Sequence, residues 1–271
     1  LRTRGRFRRQ KSTCVFPPIL LNFRKGQVEG SVFYGQDKLK LITHCQNKRS
    51  QNEQLVLREY LSYRILELLT DKSLGSRLLK ITYIDSESDK EPLIKYGFAI
   101  EDDDDVADRT GLTSLKTIGL NYRDLDARQT NLVSVYQYLI GNTDYSVIRG
   151  PAGDDCCHNS IPLSDGEKTF PVPYDFDFSG LVDARYATPN PRFKIRDVTE
   201  RVYRGRCDNN ANLPETIAHF QAKKAEIYGL VDELVDLDKK NRQKVVRYLN
   251  SFYERISSDK AVEKYLIKKY S

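Results

Sequence analysis

Two aspartates stand two residues apart in an apolar and aromatic stretch, PVPYDFDFSG at 171–180. In a strand, residues i and i+2 lie on the same face. Two carboxylates on one face among apolar neighbours are costly to bury unless a cation lies opposite them. The sequence therefore predicts a strand over 169–178 in which Asp175 and Asp177 face a cation.

Other polar residues suit the chemistry of phosphoryl transfer. Lys40 lies in a predicted strand, Glu59 lies in the helix that follows it, and Asp144 follows a later helix. His158 and Asn159 precede the strand that leads to the aspartate pair. In kinases a strand lysine neutralises the phosphates, a helix glutamate orients that lysine, a loop aspartate meets the acceptor hydroxyl, and an asparagine and a later aspartate hold the metal ions. The order of these residues predicts such an enzyme.

Each of these residues also has an ordinary structural interpretation. Lys40 and Glu59 are also typical of a surface ion pair, which contributes only about 0–1 kcal/mol. Asp144 follows Gly141-Asn142, where an aspartate commonly caps a turn. For His158 we expect a structural contact rather than a ligand role. The run EDDDD at 101–105 is typical of a solvated loop or of the first turn of a helix.

The elements that must position these residues follow from hydrophobic periodicity. One helix, capped by Asn52, is predicted to follow the first strands, and further helices are predicted over 130–142 and from about 214 onward. The predicted strands cover residues 15–23, 31–36, 38–45, 77–85, 92–101 and 169–178. The fold class predicted is α+β, with a β-rich lobe at 1–103, a mostly helical lobe at 104–271 and a cleft for a ligand between them.

Composition argues against two classes of protein. Charged residues make up 30% of the chain, and no apolar run reaches the roughly 20 residues of a spanning helix, so we do not expect a membrane protein. The net charge is +6, and residues 1–28 contain arginines and lysines but no acid. One basic arm is too small a footprint for a nucleic-acid face, so we expect no nucleic-acid partner.

Five cysteines are too few for a disulfide scaffold in 271 residues. Cys14 and Cys45 flank the first strands, and a bridge between them would indicate an oxidising compartment, secreted or periplasmic, with a cytoplasmic protein as the alternative. Adjacent Cys156 and Cys157 are not expected to pair with each other, and Cys207 could pair with either of them. The chain begins at Leu1 and has no methionine, so we expect a processed or trimmed product.

Taken together, the motifs resemble the CotH-like branch of the atypical protein kinase-like families. The resemblance covers residues 2 to about 182 and is carried by RTRG, KLKLITHC, LREYLSYRILELL, YGFAIEDDDD, IGNTDYS, HN and PVPYDFDFSG. It implies a two-lobed protein kinase-like fold and a phosphotransferase that uses ATP and Mg²⁺ or Mn²⁺. Its acceptor would be a hydroxyl of a protein or small molecule. Transfer of AMP on the same fold, or a non-catalytic binding module, are the alternatives.

The resemblance also implies a role for each matching residue near the nucleotide. Lys40 would bind phosphate, with Lys38 as its competitor, and Glu59 would pair with that lysine, with Glu53 as its competitor. The backbone of Ala99, Ile100 and Glu101 would form the hinge that holds the adenine.

The remaining roles implied by the resemblance concern the acceptor and the metal. Asp144 would be the catalytic aspartate, and Asn159 and Asp175 would hold the metal with Asp177 as a further ligand. DFSG at 177–180 matches the same metal motif shifted by two, so Asp177 is the alternative main ligand.

The chain departs from ordinary protein kinases in two places. RTRG stands where a glycine-rich phosphate loop would be, so Arg4 and Arg6 are candidates to cover the phosphates. The segment between Asp144 and Asn159 is an insertion, and its Asp154 and Asp155 compete with Asp144 for the role of base.

Overall fold

A computed structural model describes residues 1–24, 26, 28–47 and 50–268. Five strands form an antiparallel sheet in the order β1-β2-β3-β5-β4. They are β1 (Arg2–Thr3), β2 (Ile19–Asn22), β3 (Lys38–Ile42), β4 (Ser76–Tyr83) and β5 (Leu93–Ile100). The side chain of Lys40 lies in the middle of this sheet, with Leu20 and Ile100 as its neighbours on the flanking strands.

Helix α1 (Ser50–Leu69) connects β3 to β4 and packs against β4 and β5. It begins two residues before the predicted cap, Asn52. Leu57, Leu61 and Ile65 recur every four residues and are at most 1% exposed, as expected for the buried stripe of a helix. This stripe fixes the rotation of α1 and thereby the direction in which its polar residue Glu59 points.

The predicted strand at 31–36 is wrong, because this stretch is a series of turns. Gly30 and Gly35 have φ values of +72° and +82°, which is left-handed backbone that reverses the chain. Val32 is 89% exposed and Tyr34 74%, so these apolar side chains gain little from burial. The predicted strand over 15–23 is shorter in the structure, where only Ile19–Asn22 is extended and paired.

The acidic run begins helix α2 (Asp103–Thr110), and the side chain of Asp102 accepts a hydrogen bond from the backbone N–H of Asp103. This confirms the interpretation of EDDDD as a helix start, since carboxylates favour the positive end of the helix dipole. A second antiparallel sheet follows, in the order β6-β7-β8. Its strands are β6 (Thr113–Ser114), β7 (Ser160–Ser164) and β8 (Thr169–Pro173).

The remaining helices form most of the second half of the chain. They are α3 (Ala127–Ile140), α4 (Leu213–Ala222), α5 (Lys224–Glu233), α6 (Lys239–Arg255) and α7 (Asp259–Val262), with short 3₁₀ helices at Tyr122–Asp124 and Cys207–Asn212 and a π-helical turn at Glu263–Ile267. The helix predicted over 130–142 corresponds to α3, which Gly141 ends in a left-handed conformation. The predicted α+β class is confirmed.

One continuous core joins the large sheet to the helices. Leu57 of α1, Phe98 of β5, Tyr136 of α3 and Phe252 of α6 are fully buried in the same cluster as Phe176. Phe176 stands between the two aspartates of the predicted cation site. Because this ring is anchored in the core, the backbone that carries both aspartates is held against α1 and α3.

The cysteines pair differently from the expectation at two positions. Cys14 and Cys45 form a disulfide, with their Cα atoms 4.7 Å apart, as the sequence indicated. Cys156 and Cys157 also form a disulfide with each other, against expectation, because a cis peptide brings their Cα atoms to 3.0 Å. Cys207 is exposed and free, so the bridge considered from Cys207 to Cys156 or Cys157 is not formed.

Across the described part of the chain, we find no helix with the length and apolar character needed to cross a membrane.

Candidate functional site

A cleft of about 700 Å³ collects most of the predicted site residues. Its walls come from the amino-terminal segment, the start of α2, the loop between α3 and β7, and the loop after β8. Predicted site residues on these walls are Arg4, Arg6, Asp144, Asn159, Asp175 and Asp177, together with the competing Asp154 and Asp155. These residues are far apart in the sequence, so the fold brings the proposed chemistry together.

The two aspartates are not in a strand, which corrects the sequence prediction. β8 ends at Pro173, and Asp175 has a left-handed φ of +59°. The backbone N–H of Asp175 donates to the Tyr63 hydroxyl of α1 at 2.9 Å. The turn separates the two carboxylates: the side chain of Asp175 is 44% exposed, whereas that of Asp177 is 5% exposed.

Two glycines hold the loop after β8 against the end of α3. Gly180 donates its backbone N–H to the carbonyl of Gly141 at 3.1 Å, and Leu181 donates to Ile140 at 2.9 Å. A Cβ on Gly180 would lie 2.8 Å from the backbone of Val198 and Thr199. Only glycine fits this close approach. The two backbone hydrogen bonds to the end of α3 hold the loop that carries Asp177 beside the turn that leads to Asp144.

The cation opposite the aspartate pair is Arg8. Its side chain is 8% exposed, and its guanidinium lies 2.9 Å from Asp175, 3.2 Å from Asp177 and 3.1 Å from Glu59. Both Nη atoms of Arg8 donate to the Glu59 carboxylate. A buried guanidinium with three carboxylate partners satisfies the requirement that buried charges be paired.

The electrostatics of this group follow from its burial. Burial would lower the pKa of Arg8, but Asp177 and then Glu59 raise it well above its ordinary value. Burial raises the pKa of both Glu59 and Asp177, and Arg8 opposes that rise in each case. Arg8 is therefore a permanent cation that lets acidic side chains remain in a buried position.

Arg8 replaces Lys40 as the partner of Glu59, which corrects the predicted ion pair. Lys40 instead contacts Asp102, at 3.3 Å, and Asp103. The cause is topological, since the N-terminal segment inserts Arg8 between α1 and the loop after β8. The competing pair is not formed either: Glu53 binds Lys95 at 2.8 Å and Lys38 lies 3.4 Å from Asp37.

Asp144 lies at the centre of a small hydrogen-bonded group. His158 Nε2 lies 2.8 Å from Asp144 Oδ1, and the Asn159 amide donates to the Asp144 carbonyl at 2.7 Å and to Oδ2 at 3.2 Å. The hydrogen bond to Asp144 raises the pKa of His158, which burial opposes. The end of the insertion between Asp144 and Asn159 thus lies beside its beginning, and the residues at its end orient the Asp144 carboxylate.

The N-terminal segment crosses the cleft and is attached on both sides. Arg6 makes two 2.8 Å hydrogen bonds to Asp154, and Phe7 contacts Phe178 and Tyr186 edge to face. Arg4 lines the cleft. Asp154 is therefore engaged by Arg6, whereas Asp155 lines the cleft.

The predicted hinge lies inside the large sheet. Ala99 and Ile100 are 9% and 3% exposed and pair with both β3 and β4. Glu101 accepts from the backbone N–H of Gly75 and from Arg109. Among the described residues that line the 700 Å³ cleft, these three do not occur, so the adenine contact stays a prediction.

Parts of the cleft fit a hard divalent cation, for which oxygen is the preferred ligand. Hydrogen bonds among the described residues engage Asp175 Oδ1 and the amide nitrogen of Asn159. The same bonds leave Asp175 Oδ2 and Asn159 Oδ1 open to a ligand. Asp177 fits less well, because one of its oxygens receives both Arg8 and the Tyr186 hydroxyl. No three His, Cys, Asp or Glu side chains within the described ranges are arranged as a metal site.

Sequence reasoning missed Arg8, Tyr63 and Tyr186 as members of this site. The relevant signal was the requirement of two buried carboxylates for a cation together with an acid-free N-terminal arm. Nothing in the string RFRR distinguishes Arg8 from Arg9, because a turn has no periodicity that marks an inward face.

In comparisons with known proteins, no family model and no curated protein matches the chain.

Proposed function

We propose that this protein is a phosphotransferase of the atypical kinase type that uses ATP and Mg²⁺ or Mn²⁺. The observation that carries the proposal is the convergence of Asp144, Asn159 and Asp175 with Arg4 and Arg6 in one cleft. This set supplies what phosphoryl transfer needs: a carboxylate for the acceptor proton, oxygen ligands for a metal, and cations for the phosphates.

The proposal includes the two-lobed kinase-like arrangement and the CotH-like resemblance. In it, the five-stranded sheet and α1 belong to the lobe at 1–103, and the second sheet and later helices belong to the lobe at 104–271. Support comes from the order of elements, in which a helix between the third and fourth strands carries Glu59 toward the loop after β8.

Asp144 is the proposed base. Its carboxylate accepts the proton of the acceptor hydroxyl while His158 and Asn159 hold it in place. The hydroxyl oxygen forms a bond to the γ-phosphorus as the bond from that phosphorus to the β,γ-bridging oxygen breaks. ADP leaves with the electron pair, so a phosphate ester and ADP are the products.

Asp175 and Asn159 are the proposed metal ligands, through Asp175 Oδ2 and Asn159 Oδ1. The metal, when bound, neutralises the phosphate oxygens. Both residues have left-handed backbone, with φ of +59° and +51°, and such positions are concentrated at functional sites. Asp177 positions the loop through Arg8 and Tyr186.

Arginine replaces lysine in this proposal as the phosphate-binding cation. Lys40 is held by Asp102 and Asp103 and is not among the described residues that line the cleft, whereas Arg4 and Arg6 line it. Arg6 would exchange its exposed contact with Asp154 for the phosphate. Guanidinium groups bind phosphate through paired donors. We propose that Lys40 stabilises the start of α2 and that Glu59 orients Arg8.

A second candidate is a binding module without catalysis. The observation that favours it is that Arg8 already compensates Glu59, Asp175 and Asp177 without a metal.

The Cys14–Cys45 disulfide supports a secreted or periplasmic location for either candidate.

Labelled ATP tests the proposal. The wild type, Asp144→Asn and Asp175→Ala are incubated with Mn²⁺, a degenerate serine and threonine peptide mixture, and ATP labelled at either the γ- or the α-phosphorus. We expect γ-label transfer by the wild type and at least a 100-fold loss in both variants. The control is Asp165→Asn, in the exposed turn between β7 and β8, which should transfer normally.

The other outcomes have defined meanings. Transfer of the α-label would replace phosphoryl transfer by AMP transfer on the same residues. If neither label is transferred, ATP is not hydrolysed and nucleotide gives no thermal shift, the binding module without catalysis would be favoured over the enzyme.

A further inference from the structure

A second cavity of about 600 Å³ opens beside the cleft. It shares Asp144, Pro151, His158 and Phe178 with the cleft, so the two cavities meet at the proposed base. The second cavity is built by two loops, 143–151 and 188–192, and its volume lies within the range of ligand pockets. A molecule lying in it would present a group directly to the Asp144 carboxylate.

The two loops are tied together, so the groove is preformed. The Asn190 amide donates to the Thr143 carbonyl at 3.1 Å. Arg204 donates to the carbonyls of Thr143 and Tyr145 and stacks 4.3 Å from the Tyr145 ring. Prolines 189 and 191 restrict the second loop further. A preformed groove lowers the ordering cost of binding.

The charge of this groove differs from that of the cleft. Three arginines line it, and Asp144 is its one acidic residue among the described lining. Arg204 is engaged by backbone carbonyls, but Arg149 and Arg192 are exposed. In the described part of the chain, neither of these two side chains has a carboxylate within ion-pair distance. The two cations belong to the two separate loops and are free to bind an incoming anion.

We propose that the acceptor is a serine or threonine in an acidic polypeptide segment, with Arg149 and Arg192 as its specificity-determining residues. The segment lies in the groove, its carboxylates pair with the two arginines, and its hydroxyl reaches Asp144. A polypeptide fits because the cations lie on two loops of an open groove, with the base at the junction with the cleft. This inference rests on the proposed function, since it names the acceptor for the same transfer.

Synthetic peptides test the inference. Each carries one serine flanked on both sides by glutamates, by glutamines or by lysines, and carries fluorescein at its end. For the wild type we expect kcat/KM to be at least 10-fold higher for the glutamate peptide than for the glutamine peptide. The double variant Arg149→Glu/Arg192→Glu should reverse this order and prefer the lysine peptide. The control Arg247→Glu, an exposed position on α6, should keep the wild-type order.

Reversal of preference is a result that misfolding cannot produce, because a misfolded variant loses all three peptides together. An equal kcat/KM of the wild type for the three peptides would overturn the inference, and so would a glutamate preference retained by the double variant. Efficient use of a small acidic hydroxyl compound such as glycerate in place of the glutamate peptide would also overturn it.

Peptide binding separates failure of this inference from failure of the proposed function. Fluorescence anisotropy measures binding in the absence of ATP, at low and at high salt. If no label is transferred from ATP, ATP is not hydrolysed and nucleotide gives no thermal shift, the proposed function fails. Salt-sensitive binding of the glutamate peptide that the double variant loses would still support the groove as a docking site for acidic polypeptides, and absence of that binding would overturn the inference.

Discussion

Arg8 lies where three carboxylates from α1 and the loop after β8 converge. Glu59 and Asp177 are almost fully buried beside it. Removing a buried charge costs more than its pair contributes, because the partners are left uncompensated. Through this one side chain, Arg8 therefore connects the N-terminal segment to α1 and to the loop after β8.

We expect Arg8→Ala to lower the free energy of unfolding by about 3–5 kcal/mol, since it leaves two buried acids without a cation. The matched control is Arg9→Ala, next in sequence but exposed, which should change stability by no more than about 0.5 kcal/mol. Urea denaturation of both variants measures the difference. Equal stability of the two would show that Arg8 does not compensate these carboxylates.

The pKa values of two of the three histidines should be shifted in opposite directions. Burial lowers the pKa of His44, and the hydrogen bond that His158 donates to Asp144 raises the pKa of His158. The charged His158–Asp144 pair therefore stabilises the fold fully below about pH 6.5 and loses that contribution as pH rises through the raised pKa of His158.

NMR titration of the imidazole signals in metal-free buffer measures both pKa values. Asp144→Asn should lower the pKa of His158 toward its ordinary value and leave that of His44 unchanged. A His158 pKa that does not respond to this substitution would contradict the proposed orientation of Asp144.

At the scale of elements, the site depends on the close packing of the loop after β8 against the end of α3. Gly180, in this loop, also packs against the segment at 198–199, where a Cβ on it would meet the backbone of Val198 and Thr199. Gly229, inside α5, has open space where a Cβ would lie. Gly180 is therefore closely surrounded by backbone, whereas Gly229 has room for a side chain.

We expect Gly180→Ala to destabilise the protein by roughly 1–3 kcal/mol through overpacking. Gly229→Ala should instead stabilise it by about 0.5–1 kcal/mol, because alanine favours the helix. Thermal denaturation of the two variants gives both signs. A stabilising Gly180→Ala would mean that the loop and the segment at 198–199 can move apart without loss.

Sequence patterns predicted elements whose apolar residues repeat. The stripe at Leu57, Leu61 and Ile65 predicted α1, and the runs at 77–85 and 92–101 correspond to β4 and β5. The turns at 31–36 were missed because valine and tyrosine favour strands whereas the surrounding glycines impose left-handed backbone. The β-propensity of single residues is not sufficient to form a strand, which also needs an adjacent strand to pair with.

The site was predictable in its acidic members and not in its cation. The convergence of Asp144 and Asp175 in one cleft was expected from the kinase-type order of the polar residues, although the strand predicted over 169–178 wrongly included Asp175. Arg8 lies in a turn, and its partners are residues more than 50 positions away in the sequence. The vicinal pair Cys156–Cys157 was missed because the geometry of a disulfide rarely suits adjacent cysteines.

At the scale of the whole molecule, the Cys14–Cys45 disulfide closes the N-terminal segment onto the end of β3. The bridge joins residues separated by 31 positions, and nearby Phe16 and Cys45 also pair through their backbones. The segment that carries Arg4, Arg6 and Arg8 precedes this anchor. The disulfide thus limits how far the arginines can move from the cleft.

We expect Cys14→Ala/Cys45→Ala to lower the free energy of unfolding by about 3–4 kcal/mol, from the loop entropy of a bridge of this span. Chemical denaturation without reductant measures the loss. Cys207→Ser is the control, since that thiol is free and exposed, and it should leave stability unchanged. A double variant as stable as the control would show that the bridge does not constrain the unfolded chain.

The central claim is that the cleft binds a nucleotide through a metal held by Asp175. Isothermal titration calorimetry with Mn²⁺ and a β,γ-imido analogue of ATP tests it without requiring an acceptor. We predict one analogue per chain for the wild type and for Asp165→Asn, only when Mn²⁺ is present, and at least 10-fold weaker binding for Asp175→Ala. Absence of binding by the wild type, or equal affinity in Asp175→Ala, would contradict the claim.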